Sequence, residues 1–370
     1  MKNLKLITKS IWMGAASGAM VWAFLKVLAI CTEYLWKVFP EQINSPLYTL
    51  IVCTVGGFVT GIFRKRAGDY PEEMMVVLGK VKTEKYYDYT KLPLLFIAAF
   101  LPLVFASSVG PEAGLVGIVT AICYWVAASL KKTAGETLEK GKRRLCYGLA
   151  IATGLVIYQG LSEIIGAAMA GFPTFEMALP KGMDWLMAIV YILAGCAIAK
   201  FYELTHHGCH VAAGKLPPVV KETVAGFLLG LAATFVPQIM FSGEEEIHHL
   251  MADYAEYLPW MLLGIAILKV LITNVCIQGG LKGGHFFPLI YAGVALGYAI
   301  AMFAFPGGAG EHVIFAAAVV TSALLGANMK QPVLVALILL ICFPFRMIFW
   351  LLIGAYGGDA VMSLGGEERE

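Results

Sequence analysis

Four short segments place glycine or proline directly ahead of a predicted helix. They are Gly68-Asp69-Tyr70-Pro71-Glu72, Ser107-Ser108-Val109-Gly110-Pro111-Glu112, Ser242-Gly243-Glu244-Glu245 and Gly283-Gly284-His285-Phe286-Phe287-Pro288. Proline in a first helical turn loses no hydrogen bond, and glycine lets the chain turn sharply before it. Each helix start carries N–H groups without intrahelical partners and the positive end of the macrodipole. Several such ends brought together at membrane depth make an anion site without a full buried positive charge. Titratable groups stand in or near the same surroundings. His285 could add positive charge in mild acid, and Glu112 and Glu163 lie in apolar stretches, where a carboxylate is a candidate proton carrier or gate. A different chemistry is raised by His206, His207, Cys209 and His210, predicted to share a loop, and by Glu246 with His249 at Glu-x-x-His spacing. Neither matches the His-Glu-x-x-His pattern of a metalloprotease, so a solvated loop is the plainer reading and a membrane metalloprotein the alternative.

The elements that must position these segments are set by composition. The chain has 370 residues, 59% hydrophobic and only 14% charged, with a mean hydropathy of +0.77. Soluble domains carry about a quarter charged residues, so a soluble enzyme is excluded, and a net charge of +2 leaves nothing to neutralise nucleic acid. Apolar stretches near or above the roughly 17 residues needed to span a bilayer run at about 10–36, 47–63, 92–106, 111–130, 185–201, 222–237, 258–277, 286–304, 312–326 and 333–354. Between 145 and 184 the chain is apolar but interrupted by Gly154, Gly160, Gly166, Gly171 and Pro173. Cationic clusters at Arg64–Lys91 and Lys131–Arg144, with the N-terminal Lys2, Lys5 and Lys9, predict a cytoplasmic N-terminus in a multi-pass cell-membrane protein. The fold class is therefore all-α and polytopic.

The stretch Lys269–Pro288, KVLITNVCIQGGLKGGHFFP, resembles the CLC family of chloride channels and transporters, with a helix ending in a Gly-rich loop and a Gly-Gly-x-Phe-x-Pro signature. Lys330-Gln331-Pro332 is similar to the family's basic-x-Pro entry into a late helix. The resemblance spans about residues 10–362. It implies an inverted repeat of tilted and broken helices, here 1–184 and 185–370, a homodimer in the bilayer, and no cofactor. The chain ends soon after Met362, which leaves no room for the soluble regulatory domain that some relatives carry.

Carried over residue by residue, the resemblance implies an anion pathway through Gly68, Tyr70, Ser107, Ser108, Val109, Gly110, Gly284, His285, Phe286 and Met362. The family's anion-binding serine matches Gly68, its gating glutamate matches Val109, and its anion-binding tyrosine matches Met362. All three marker side chains are absent. Backbone donors at Gly110 and Phe286 do not depend on side-chain identity, whereas each lost hydroxyl costs about 1–3 kcal/mol if unreplaced. Weaker binding favours rapid passage, and valine cannot carry a proton. The expected function is passive conduction of chloride or a similar anion. The alternative is anion/proton exchange through Glu112 or Glu163.

Overall fold

A computed structural model describes residues 2–134, 140–167 and 171–364. Its helices are α1 Lys2–Glu33, α2 Phe39–Ile43, α3 Tyr48–Ala67, α4 Met74–Glu84, α5 Leu92–Val104, α6 Glu112–Ala134, α7 Lys140–Ile164, α8 Asp184–Gly214, α9 Val220–Phe235, α10 Glu244–Asp253, α11 Pro259–Gln278, α12 Phe286–Ala304, α13 Val313–Met329, α14 Pro332–Leu339 and α15 Ile348–Leu364. Seven helical runs among the described residues are long and apolar enough to cross a membrane: Leu4–Ile43, Glu112–Lys132, Gly141–Ile164, Asp184–Gly214, Pro259–Gln278, Phe286–Ala304 and Phe345–Leu364. The protein is an all-α, multi-pass membrane protein. Backbone contacts divide it into two compact units. One comprises Met1–Ser45, Phe63–Phe105 and Pro111–Ala170, the other Pro46–Ile62, Ala106–Gly110 and Gly171–Glu370.

The first unit is built on α1 packed along α7. Gly14 and Gly18 of α1 lie against the carbonyls of Ala150 and Gly154 in α7, closer than any Cβ would permit. Lipid offers no hydrophobic drive between helices, so small residues four apart let the backbones approach and gain dispersion contact. This contact explains a departure from the sequence expectation. Gly154 and Gly160 do not break the chain, and α7 runs unbroken from Lys140 to Ile164. An interior glycine costs a helix about 1 kcal/mol relative to alanine, which the close approach at Gly154 offsets. Leu25, Leu95, Ile118 and Ile122 are among the apolar side chains buried around the helix pair.

The second unit is organised around α13. This helix is apolar on every side and buried without interruption from Phe315 to Ala327, the pattern of a helix sealed inside protein. Its neighbours each present glycine to it. An added Cβ on Gly293 of α12 would lie 2.6 Å from Thr321 Oγ1, on Gly297 of α12 2.6 Å from Ala317 Cα, and on Gly195 of α8 2.7 Å from the Val320 carbonyl. From α15, Gly354 and Gly358 face Ser322 and Ala323. Three helices thus reach a fourth at backbone distance.

Two further expectations change. The run at 333–354 is not one helix. α14 stops at Leu339, the chain turns through Cys342, Phe343 and Pro344, and α15 extends to Leu364. Pro344 has no N–H to continue the ladder. The irregular segment from 171 to 183 is tied to this turn. Phe175 N–H donates to the Cys342 carbonyl at 2.8 Å, and the Phe175 and Phe343 rings stack at 4.6 Å. Non-helical backbone at this depth is met by other protein groups. His206, His207, Cys209 and His210 are not in a loop. They occupy the last turns of α8, which continues as helix to Gly214. His206 Nε2 and His210 Nδ1 lie 2.6 and 3.0 Å from Gln278 of α11, and no group of three or more metal-ligand side chains occurs among the described residues.

Gly297→Ala is expected to lower the stability of the purified protein by about 1–3 kcal/mol through overpacking against Ala317. Gly264→Ala, inside α11 where the new Cβ meets no atom within 4 Å, should not lower it and should raise it by up to about 1 kcal/mol through helix propensity. Thermal unfolding in detergent compares the two.

Candidate functional site

The segment Ala106–Gly110 is buried throughout. Ala106 takes a positive φ of 57°, a conformation that costs a non-glycine residue free energy and persists only where its surroundings impose it. Those surroundings are hydrogen bonds. Phe241 N–H donates to the Ala106 carbonyl at 3.2 Å, and Val109 N–H to the Ser107 carbonyl at 2.7 Å. The hydroxyls of Ser108 and Thr273 are 3.1 Å apart. Gly110 then pairs with Gly284 in a reciprocal antiparallel bridge, with N–H to carbonyl distances of 2.7 and 2.8 Å.

That bridge sets one end of α12. Gly284 precedes His285, which occupies the N-cap position, and Phe286 begins the helix. The positive end of the α12 macrodipole therefore lies next to the 106–110 segment. Gly283 permits the approach, since an added Cβ there would lie 2.6 Å from Val109 Cβ. Val109 is fully buried against it. The Ser107 hydroxyl is also buried, and no group among the described residues hydrogen-bonds to it. A buried hydroxyl without a partner costs free energy unless something polar meets it. His285 turns toward α8, its ring 5.7 Å from that of Tyr202.

Ser107, Ser108, Val109, Gly110, Gly284, His285 and Phe286 thus lie together in the second unit. Met362 belongs to the same unit but lies within the last turns of α15, packed against the hydrophobic core. The remaining candidates belong to the first unit. Gly68, with a φ of 98°, terminates α3 by donating its N–H to the Arg64 carbonyl at 2.9 Å, the usual use of glycine after a helix. The Tyr70 hydroxyl accepts from Lys91 Nζ at 2.8 Å. The expected helix at Pro71 begins instead at Met74, because Glu73 is extended and serves as the N-cap of α4. Glu112 occupies the first turn of α6, where a carboxylate complements the helix dipole. Glu163 is exposed on α7 and accepts from Gln159 at 3.2 Å.

Sequence reasoning missed Lys269. Its side chain is fully buried in α11. Nζ donates to the carbonyls of Ile239, Met240 and Phe241 at 3.1, 2.9 and 2.8 Å. Three acceptors match the three N–H bonds of an ammonium, whereas a neutral amine has only two. The signal was present in the chain as a cation inside an otherwise apolar run, which marks a functional candidate by default.

The sequence matches the profile of the voltage gated chloride channel family over residues 159–363. YfeO of Escherichia fergusonii, whose name assigns it provisionally to ion transport, is 25% identical over 337 residues, covering 80% of this chain and 78% of that protein. YfeO of Shigella flexneri is 25% identical over 334 residues with the same coverage. The fold is similar to that of a slow cyanobacterial Cl-/H+ antiporter, with a TM-score of 0.75 and 16% identity over 98% of this chain and 95% of the other. It is also similar to that of a CLC-type fluoride/proton antiporter, with a TM-score of 0.69 and 17% identity over 98% and 96%. At such identities the two structures establish a shared fold. The profile covers more than half of the residues, including the Gly284 bridge and the α12 start, and the chain therefore belongs to the voltage gated chloride channel family of anion-transport proteins.

Proposed function

We propose that this protein conducts chloride or a similar anion passively, along a pathway that includes Ser107–Gly110 and the start of α12. The observation that carries this reading is the make-up of the buried segment itself. Ala106, Ser107, Ser108, Val109 and Gly110 contain no ionisable side chain, and Val109 stands where the family resemblance places a proton-carrying glutamate. What the segment offers an anion is dipolar: the Ser107 hydroxyl, which has no partner among the described residues, and the adjoining helix end. Dipoles attract an anion less strongly than a fixed cation and allow it to leave, as conduction requires. The N-terminus lies on the cytoplasmic side, as the cationic clusters of the first half indicate.

Exchange coupled to protons is the competing reading, because both proteins of similar fold named above are proton antiporters. In the first unit, Glu112 and Glu163 sit where a first-turn dipole and the Gln159 amide account for them. Liposomes carrying the purified protein and a chloride gradient separate the two readings. Chloride efflux without accompanying proton movement, unchanged by Glu112→Gln, is expected. Proton movement coupled to chloride and lost in Glu112→Gln would establish the exchanger instead.

Ser107→Ala tests the hydroxyl. Loss of one hydrogen bond to a charged ligand is worth about 1.5–3 kcal/mol in a dry site, so apparent chloride affinity should fall by roughly tenfold or more. Thermal stability should not fall, since the hydroxyl bonds to nothing among the described residues. Unchanged chloride affinity in isothermal titration would remove Ser107 from the pathway.

A further inference from the structure

A cavity of about 250 Å³ opens beside α10, lined by Pro237, Gln238, Met240, Glu246, His249 and Tyr257. Two of its lining residues carry buried polar atoms with no hydrogen-bond partner among the described residues, Glu246 Oε2 and Gln238 Oε1. Met240, which lines the cavity, supplies one of the three backbone carbonyls that hold the Lys269 ammonium, itself 5.4 Å from the centre of the Tyr291 ring. Glu246 and Lys269 interact electrostatically. The other titratable groups around Glu246 are Glu245 and His249 on its own helix, Tyr257 after it, and Tyr291 on α12. Burial raises the Glu246 carboxyl above the ordinary range, and Lys269 opposes that shift.

This pair is wired to the 106–110 segment by backbone. Phe241 accepts from Lys269 through its carbonyl and donates through its N–H to Ala106, the residue before Ser107. We propose that Glu246 is a proton-binding site reached through this cavity, and that its protonation raises anion occupancy of the Ser107–Gly110 segment by leaving the Lys269 charge uncompensated. The inference rests on the reading that anions pass at that segment. The sign follows from charge alone. With Glu246 ionised the pair is neutral as a whole, and with Glu246 protonated it carries one positive charge in a medium that screens poorly. Lys269 cannot relieve this by losing its own proton without leaving one of its three carbonyls unmatched. Acid therefore favours the anion.

Chloride efflux from liposomes containing the full-length protein is measured at about pH 7.5 and about pH 4.5, the acid end lying near the ordinary glutamate value so that a raised carboxyl is largely protonated there. Wild-type efflux should rise several-fold in acid. Glu246→Gln, close in shape and fixed in the neutral form, should give the high rate at both pH values. His249→Gln should keep the acid response. Glu246→Asp, which retains a carboxyl, should keep a response as well, and decides the matter if the glutamine variant does not fold. An acid response that survives in Glu246→Gln, or is absent from Glu246→Asp, overturns the proposal. Wild-type efflux that ignores pH overturns it while leaving passive conduction intact. Absence of wild-type chloride efflux at both pH values overturns passive conduction itself.

Discussion

A backbone that leaves the helix inside a membrane protein has no water to satisfy its N–H and C=O groups, and each must find a partner within the protein. The second unit meets this constraint where three chain breaks come together. The break before α12 pairs Gly284 with Gly110, the break before α10 places three carbonyls on Lys269, and Phe241 N–H joins that loop to Ala106. Each interrupted segment is the partner of another. Removing any one of them would leave the others with unmatched polar groups at a cost of about 1–3 kcal/mol each.

The same mutual dependence explains why the site carries so little charge. Dipoles are already aligned by the backbone pairing, and Ser107 adds a hydroxyl that meets no hydrogen-bonding group among the described residues. The full charge close at hand, Lys269, points its donors at carbonyls rather than at the Ser107–Gly110 segment. In the proposed coupling it acts on that segment through space, and Glu246 sets how much of its field remains. A segment made of dipoles and biased by a neighbouring titratable pair, as proposed, differs from one in which a carboxylate enters the pathway. Such a segment would change occupancy with pH while containing nothing that titrates.

Glycine has three separate uses among the described residues, and one of them lies at the proposed anion segment. At Gly110, Gly283 and Gly284 it allows backbone to meet backbone beside the α12 start. At Gly14 and Gly18 in the first unit, and at Gly195, Gly293, Gly297, Gly354 and Gly358 in the second, it lets helices pack at backbone distance. Gly68, read from the sequence as part of an anion loop, has the separate task of ending α3.

Composition alone dictates the class of protein. Scarce charge and repeated apolar runs require membrane helices, because only a structure with all backbone groups bonded internally survives in lipid. The Gly-Gly-x-Phe-x-Pro stretch and Ser107–Pro111 were legible because glycine and proline constrain backbone locally, whatever packs around them. Other features exist only once distant segments meet. Whether Gly154 breaks a helix or seats one depends on α1 arriving beside it, and whether residues 333–354 form one helix or two depends on the turn at Pro344 docking on Phe175. Lys269 was visible as a cation in an apolar run, but its three carbonyls come from residues about 30 positions earlier. Contacts between distant segments leave no local periodicity, so spacing along the chain cannot encode them, and the pairing of Gly110 with Gly284 is of the same kind.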